Sequence, residues 1–261
     1  MSHTSPMQAI PLIALFTLRE ALRERLIRAL VAMVGVGLLL VVFIGELLLN
    51  DSLLSRAVML GFFLRLGSLF LMMVLVTFAT ARDLHNRALD LMLALPLPRG
   101  AVFLGRACGY FFCAWLVAGV CGLTLWPLVR TEAVVLWSLS LGCELLIMSL
   151  AAMVLTLTLG QAPFALTVTT GFYLLARSIS ALLLIAAQSS AQSPHWSTHL
   201  TQYALQGISW VLPGLDRFAT GSQLLLEQNV WLPLWPILGE TGIYLVFLTA
   251  LGLFDFYQRE F

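Results

Sequence analysis

The sequence predicts an all-α membrane protein. It has six transmembrane helices, an N-terminal interfacial amphipathic helix, a cytoplasmic helix between spans two and three, and short extracytoplasmic helices between spans five and six. Three observations predict this. Hydrophobic residues make up 60% of the 261 and charged ones only 10%, with a mean hydropathy of +0.96; ordinary soluble chains are about a quarter charged. Six apolar runs are long enough to cross a bilayer, which takes about 20 residues. The basic residues cluster in alternate connections.

The spans fall near 29–49, 57–80, 107–129, 133–159, 162–187 and 232–255 in one transmembrane domain covering 1–261. The cut between the fourth and fifth rests on "GQAP" at 160–163, where Pro163 suits the first turn of a new helix. With both termini cytoplasmic, the inner segments hold Arg19, Arg23, Arg25, Arg28, Arg82, Arg87, Arg99, Arg106 and Arg259. The outer ones hold only Arg56, Arg130 and Arg217. That asymmetry follows the positive-inside rule. The N-terminus is no signal peptide, because its charges follow an apolar stretch and no small-residue cleavage site comes after it.

The interfacial helix is expected over 8–28. In "LIALFTLREALRERLIRAL", Leu15, Leu18, Leu22 and Leu26 follow helical spacing, and Arg19, Glu20, Arg23 and Glu24 take the opposite face. An ordinary basic flank that orients span one is the plainer alternative. The outer segment 188–231 carries a "PG" break at 213–214 and the head-group anchors Trp196, Trp210 and Trp231.

The densest internal charge lies in "ARDLHNRALDLMLALPLPRGAVFLGR", 81–106. From 84 to 95, Leu84, Ala88, Leu89, Leu91, Met92, Leu93 and Leu95 cover a broad helical face, while Arg87 and Asp90 point elsewhere. Pro96 ends the helix, since its ring lacks the N–H and clashes with the preceding turn. Such a helix at the cytoplasmic mouth offers charge to something in the cytosol; a passive loop is the bland reading.

All 14 basic residues are arginine, and no lysine is present. That excludes a Schiff-base lysine and a P-loop lysine, so the chain builds no Walker-type ATP site by itself. Neither HExxH nor GxSxG occurs, which speaks against a membrane enzyme. The cysteines Cys108, Cys113, Cys121 and Cys143 lie in apolar runs and read as filler. His195 and His199, in "HWSTH", have a helical i, i+4 spacing that can hold a metal, but no third ligand accompanies them. A solvated loop is the better reading, and no metal is expected.

Arg65, Glu144, Arg177 and Glu240 fall within spans, in the outer half of the bilayer by helical rise. Charges there are costly unless paired or wet. One reading makes them a polar vestibule whose arginines attract an anion; the other makes Arg65–Glu144 and Arg177–Glu240 ion pairs that fix helix packing.

"RDLHNRALDLMLALPLPRGAVFLGRACGY" resembles the signature of ABC-2-class permeases, the membrane subunits of one group of ATP-binding cassette transporters. Arg82 and Asp83 match the charged pair, and Leu89 and Asp90 the Leu-Asp step. Leu91 and Leu93 match the Leu-rich turn, and Pro96 and Arg99 the proline and the basic residue before the next span. Arg87 and Ala88 depart from the family's usual Gly and Thr or Ser. "VLPGLDRF", 211–218, is similar to the family's outer Pro-x-x-x-x-Phe segment. The haem-exporter-type B subunits and the permeases of nitrous oxide reductase maturation share the local signature.

The resemblance implies a permease that is not itself an enzyme. It would pair with a second copy of itself and with a separate cytosolic ABC ATPase carrying ATP and Mg, and would bind no cofactor or nucleic acid of its own. Residues 84–95 would be the coupling helix, with Arg82, Asp83, Arg87, Asp90, Leu91, Leu95, Pro96 and Arg99 carrying the ATPase contact. The implied place is a bacterial inner membrane, with membrane lipids around it and an extracytoplasmic protein as a further partner. The implied work is export of an amphipathic or lipid-like substrate, or transmission of ATP-driven motion to that partner. A stand-alone secondary transporter using the buried Arg and Glu groups is the alternative; it would show paired halves or broken helices, and no internal repeat is visible.

Overall fold

The structure is a computed structural model that describes residues 6–47, 53–85, 99–192, 205–207, 212–218 and 234–258. Among them every regular element is helical. The helices are α1 (Pro6–Ala21), α2 (Ile27–Leu47), α3 (Leu53–His85), α4 (Arg99–Leu125), α5 (Thr131–Leu159), α6 (Ala162–Gln192), the single turn α7 (Leu215–Phe218) and α8 (Leu234–Gln258).

Among the described residues, four helical stretches are long and apolar enough to cross a membrane: Ser55–His85, Gly100–Leu125, Thr131–Leu159 and Leu234–Phe256. The protein is therefore built as a multi-pass membrane protein. The runs expected to span at 29–49 and 162–187 are helical as well, in α2 and α6, but are not among those four; Ile27–Phe43 forms a shorter apolar helix.

α5 is the central element. Its sequence is apolar on every side, with no polar face to give to solvent, and such a helix belongs inside a bundle. It packs against α3, α4, α6 and α8, and nearly all of it from Ala133 to Leu157 is buried. It stops at Gly160, whose φ of +70° is the left-handed cap that glycine adopts without strain; the Gly160 N–H donates to Thr156 O at 2.9 Å. Pro163 then sits in the first turn of α6, so the expected cut at "GQAP" is where the chain turns. Thr156, Thr158, Thr167, Thr169, Thr170 and Thr241 each donate their hydroxyl to the carbonyl four residues back, which satisfies a polar group where lipid offers no partner.

α1 and α2 are joined by a π-turn, Leu22–Leu26. A π-turn inserts an extra residue into the helix and rotates the faces on either side of it. Within α1 itself, the buried face is not the leucine stripe read from the sequence. Leu26 is buried and Leu18 and Leu22 are partly so, but Leu15 is 46% exposed, and the buried face of α1 runs through Ala14, Thr17 and Ala21.

That face lies on α4, where Gly105 and Gly109 stand one turn apart. A Cβ at Gly105 would meet Ile13 Cβ at 2.8 Å, and one at Gly109 would meet Thr17 Cβ at 2.5 Å, so only glycine permits this approach. Small residues four apart are the usual means of close helix contact in membranes. The stretch expected to be interfacial is helical and docked on one face to α4; Leu12, Leu15 and Phe16 stay exposed on another.

Candidate functional site: two buried ionic clusters

The first cluster lies on α3, α5 and α6. Trp137, Ser140 and Glu144 recur at three- and four-residue spacing on α5, so they share one face. Arg65 of α3 donates from Nε to Glu144 Oε2 at 2.6 Å and from Nη2 to Ser140 Oγ at 3.1 Å. Its guanidinium carbon lies 5.9 Å from the Trp137 ring centroid, within cation–π range. Ser140 in turn donates to Trp137 O at 2.9 Å. Arg177 of α6 donates from Nη1 to Glu144 Oε1 at 3.5 Å and to Tyr173 OH at 3.3 Å.

Burial decides how these contacts behave. Glu144 is fully buried and Arg65 is 3% exposed, whereas the Arg177 side chain keeps 23%. Two guanidiniums therefore share one carboxylate, tightly on one side and loosely on the other. Arg65 and Glu144 form an ion pair, one of the two arrangements the sequence allows. The approach of Arg177 to Glu144, and the supporting Ser140, Trp137 and Tyr173, are additions that the sequence reading did not make. Glu240 stands on α8, one residue before the buried Thr241.

The second cluster sits where α3 ends and α4 begins. Asp83 accepts from Arg106 Nη1, and Arg82 donates from Nη2 to Glu20 of α1. Asp83 and Arg106 are buried, their side chains 8% and 7% exposed; Arg82 and Glu20 are about a third or more open. Together they join three helix ends: α3, α4 and α1. Arg82 and Asp83 are neighbours on the chain but lie about 100° apart on the helix, so one reaches α1 and the other α4.

The chain between these tethered ends carries most of the expected coupling residues. Arg87, Asp90, Leu91, Leu95 and Pro96 lie outside the described residues, while Leu84 and His85 complete α3 and Arg99 opens α4. His195, His199 and most of the segment 188–231 also lie outside them. What is described of that segment includes "LPGLDRF", 212–218: Leu215 and Phe218 are fully buried against α5 and α6. Among the described residues no group of three His, Cys, Asp or Glu side chains could hold a metal.

The part of this site that the sequence reading missed had signals in it. Glycines at 105 and 109 form a small-xxx-small pair on the face of α4 that meets α1, and Arg106 stands on the adjoining face toward α3. No family model and no curated protein matches the chain.

Proposed function

We propose that the chain is the permease subunit of an ABC-type transporter, with residues 84–95 as the coupling helix against a cytosolic ATPase. It pairs with a second copy of itself and lies with both termini in the cytoplasm, all six apolar helices spanning the inner membrane. The observation that carries this reading is the arrangement around the 86–98 connection. A short, charged segment rich in leucine is delivered by two long helices whose ends are tied together by Asp83–Arg106 and to α1 by Arg82–Glu20. A push on that segment is then passed to α3, α4 and α1 together instead of being absorbed in one loose end. Switching needs such elements, with different contacts in two states. The absence of lysine agrees, since the phosphate-binding loop then belongs to another polypeptide.

Asp90→Arg tests it. In gently solubilised membranes, the variant should lose a co-purifying P-loop ATPase while its own membrane abundance stays unchanged. A collapse of abundance would make Asp90 structural and remove the support. The buried cluster favours a second reading, a stand-alone secondary transporter in which Arg65, Glu144 and Arg177 couple ion and substrate. On that reading Glu144→Gln abolishes transport in vesicles that hold no ATP.

A further inference from the structure

Between α2 and α3 runs a groove of about 660 Å³, lined by apolar side chains except for Arg82 at one end. Its far end is closed where Met33 crosses Gly67; a Cβ there would meet Met33 Sδ at 2.7 Å. Phe70 and Phe78 line it as half-exposed ridges, two turns apart on α3.

Its dimensions limit what fits. From Gly67 to Arg82 is 15 residues, about 22 Å at the helical rise. One bilayer leaflet is about 15 Å of hydrocarbon plus about 5–7 Å of head-group zone, so the groove is as long as a leaflet is deep. A groove of that length, walled by apolar side chains, matches the length of one acyl chain of a leaflet lipid.

Charge decides which lipid. Arg82 stands at the mouth, about a third exposed beside Glu20, and the exposed Arg19, Arg23 and Arg28 lie in the turns on either side of Leu26. In a membrane the apolar walls give little preference, because lipid tails are as apolar as leucine. Selectivity must come from the head group, and a basic mouth at the membrane surface favours an anionic one.

We propose that this groove is a binding site for one acyl chain of an anionic glycerophospholipid, its phosphate held at the Arg82 end. The inference is independent of the transporter reading, and its test involves no ATPase. Protein purified in detergent is titrated with phosphatidylglycerol or phosphatidylcholine and examined by native mass spectrometry. The wild type should bind phosphatidylglycerol in preference. Val74→Trp, which fills the groove, should remove the retained lipid. If that variant does not fold, Ala79→Leu takes its place. Arg82→Gln should lower the preference about fivefold, the worth of one basic residue at an anionic surface. Glu20→Gln breaks the same ion pair but leaves the cation, and should keep the preference. Equal binding of both lipids by the wild type would overturn the proposal. So would lipid retained by the filled groove, a change of oligomeric state with bound lipid unchanged, or loss of preference in Glu20→Gln.

Discussion

Glu144→Gln keeps the shape of the side chain and removes the one carboxylate that Arg65 and Arg177 share. Arg65 is then a nearly sealed cation without a counter-charge at 144, held by Ser140, the Trp137 face and a neutral amide oxygen. Removing one partner of a buried ion pair costs about 3–5 kcal/mol, mostly because a charge is left buried without compensation. Arg177→Met should behave differently. Its contact with Glu144 is 3.5 Å long, its side chain is partly open, and its removal lowers the excess positive charge; the expected cost is under about 1 kcal/mol. Replacing both sealed partners, Arg65→Met with Glu144→Leu, should cost less than Glu144→Gln alone, since apolar substitutes for buried pairs are often neutral or stabilising. Equilibrium unfolding in mixed micelles, followed by tryptophan fluorescence, measures all three. A Glu144→Gln cost below about 1 kcal/mol, or an Arg177→Met cost equal to it, would refute the view that Glu144 is the cluster's centre.

Three further outcomes are expected. Gly109→Leu should drive α1 off α4, costing about 1–3 kcal/mol as overpacking does, and should expose Thr17, replaced by cysteine as a probe, to thiol reagents; unchanged labelling would remove the close-contact argument. Asp83→Asn should destabilise the chain, and the swap Asp83→Arg with Arg106→Asp should recover part of the loss; no recovery would mean the pair acts separately. Phe218→Ala should cost about 3–5 kcal/mol, as for other buried phenylalanines, and should loosen the turn at 212–218 first, seen by hydrogen exchange.

Much of this architecture was legible in the sequence. The apolar runs mark the long helices because lipid leaves a helix no other way to satisfy its backbone. Gly160 and Pro163 mark the turn between α5 and α6 for local backbone reasons, and the opposite signs of Arg65 and Glu144 suggested their pairing. Less legible was which face meets which helix. The buried face of α1 runs through Ala14, Thr17 and Ala21, one residue off the leucine stripe, because the close approach to Gly105 and Gly109 needs small side chains. Asp83 and Arg106 were read as charges of a cytoplasmic connection, because their burial depends on how α3 and α4 cross. The sharing of Glu144 is a three-helix property, absent from any one segment.

The most direct measurement of the central claim is the composition of the complex in native membranes. The tagged chain would be solubilised gently, captured, and everything retained with it quantified by mass spectrometry, beside a variant with residues 84–95 scrambled. The account predicts a soluble P-loop ATPase in one-to-one ratio with the chain, lost from the variant while the variant still reaches the membrane. A wild-type preparation without an ATPase, from a detergent that preserves known ABC complexes, would contradict it.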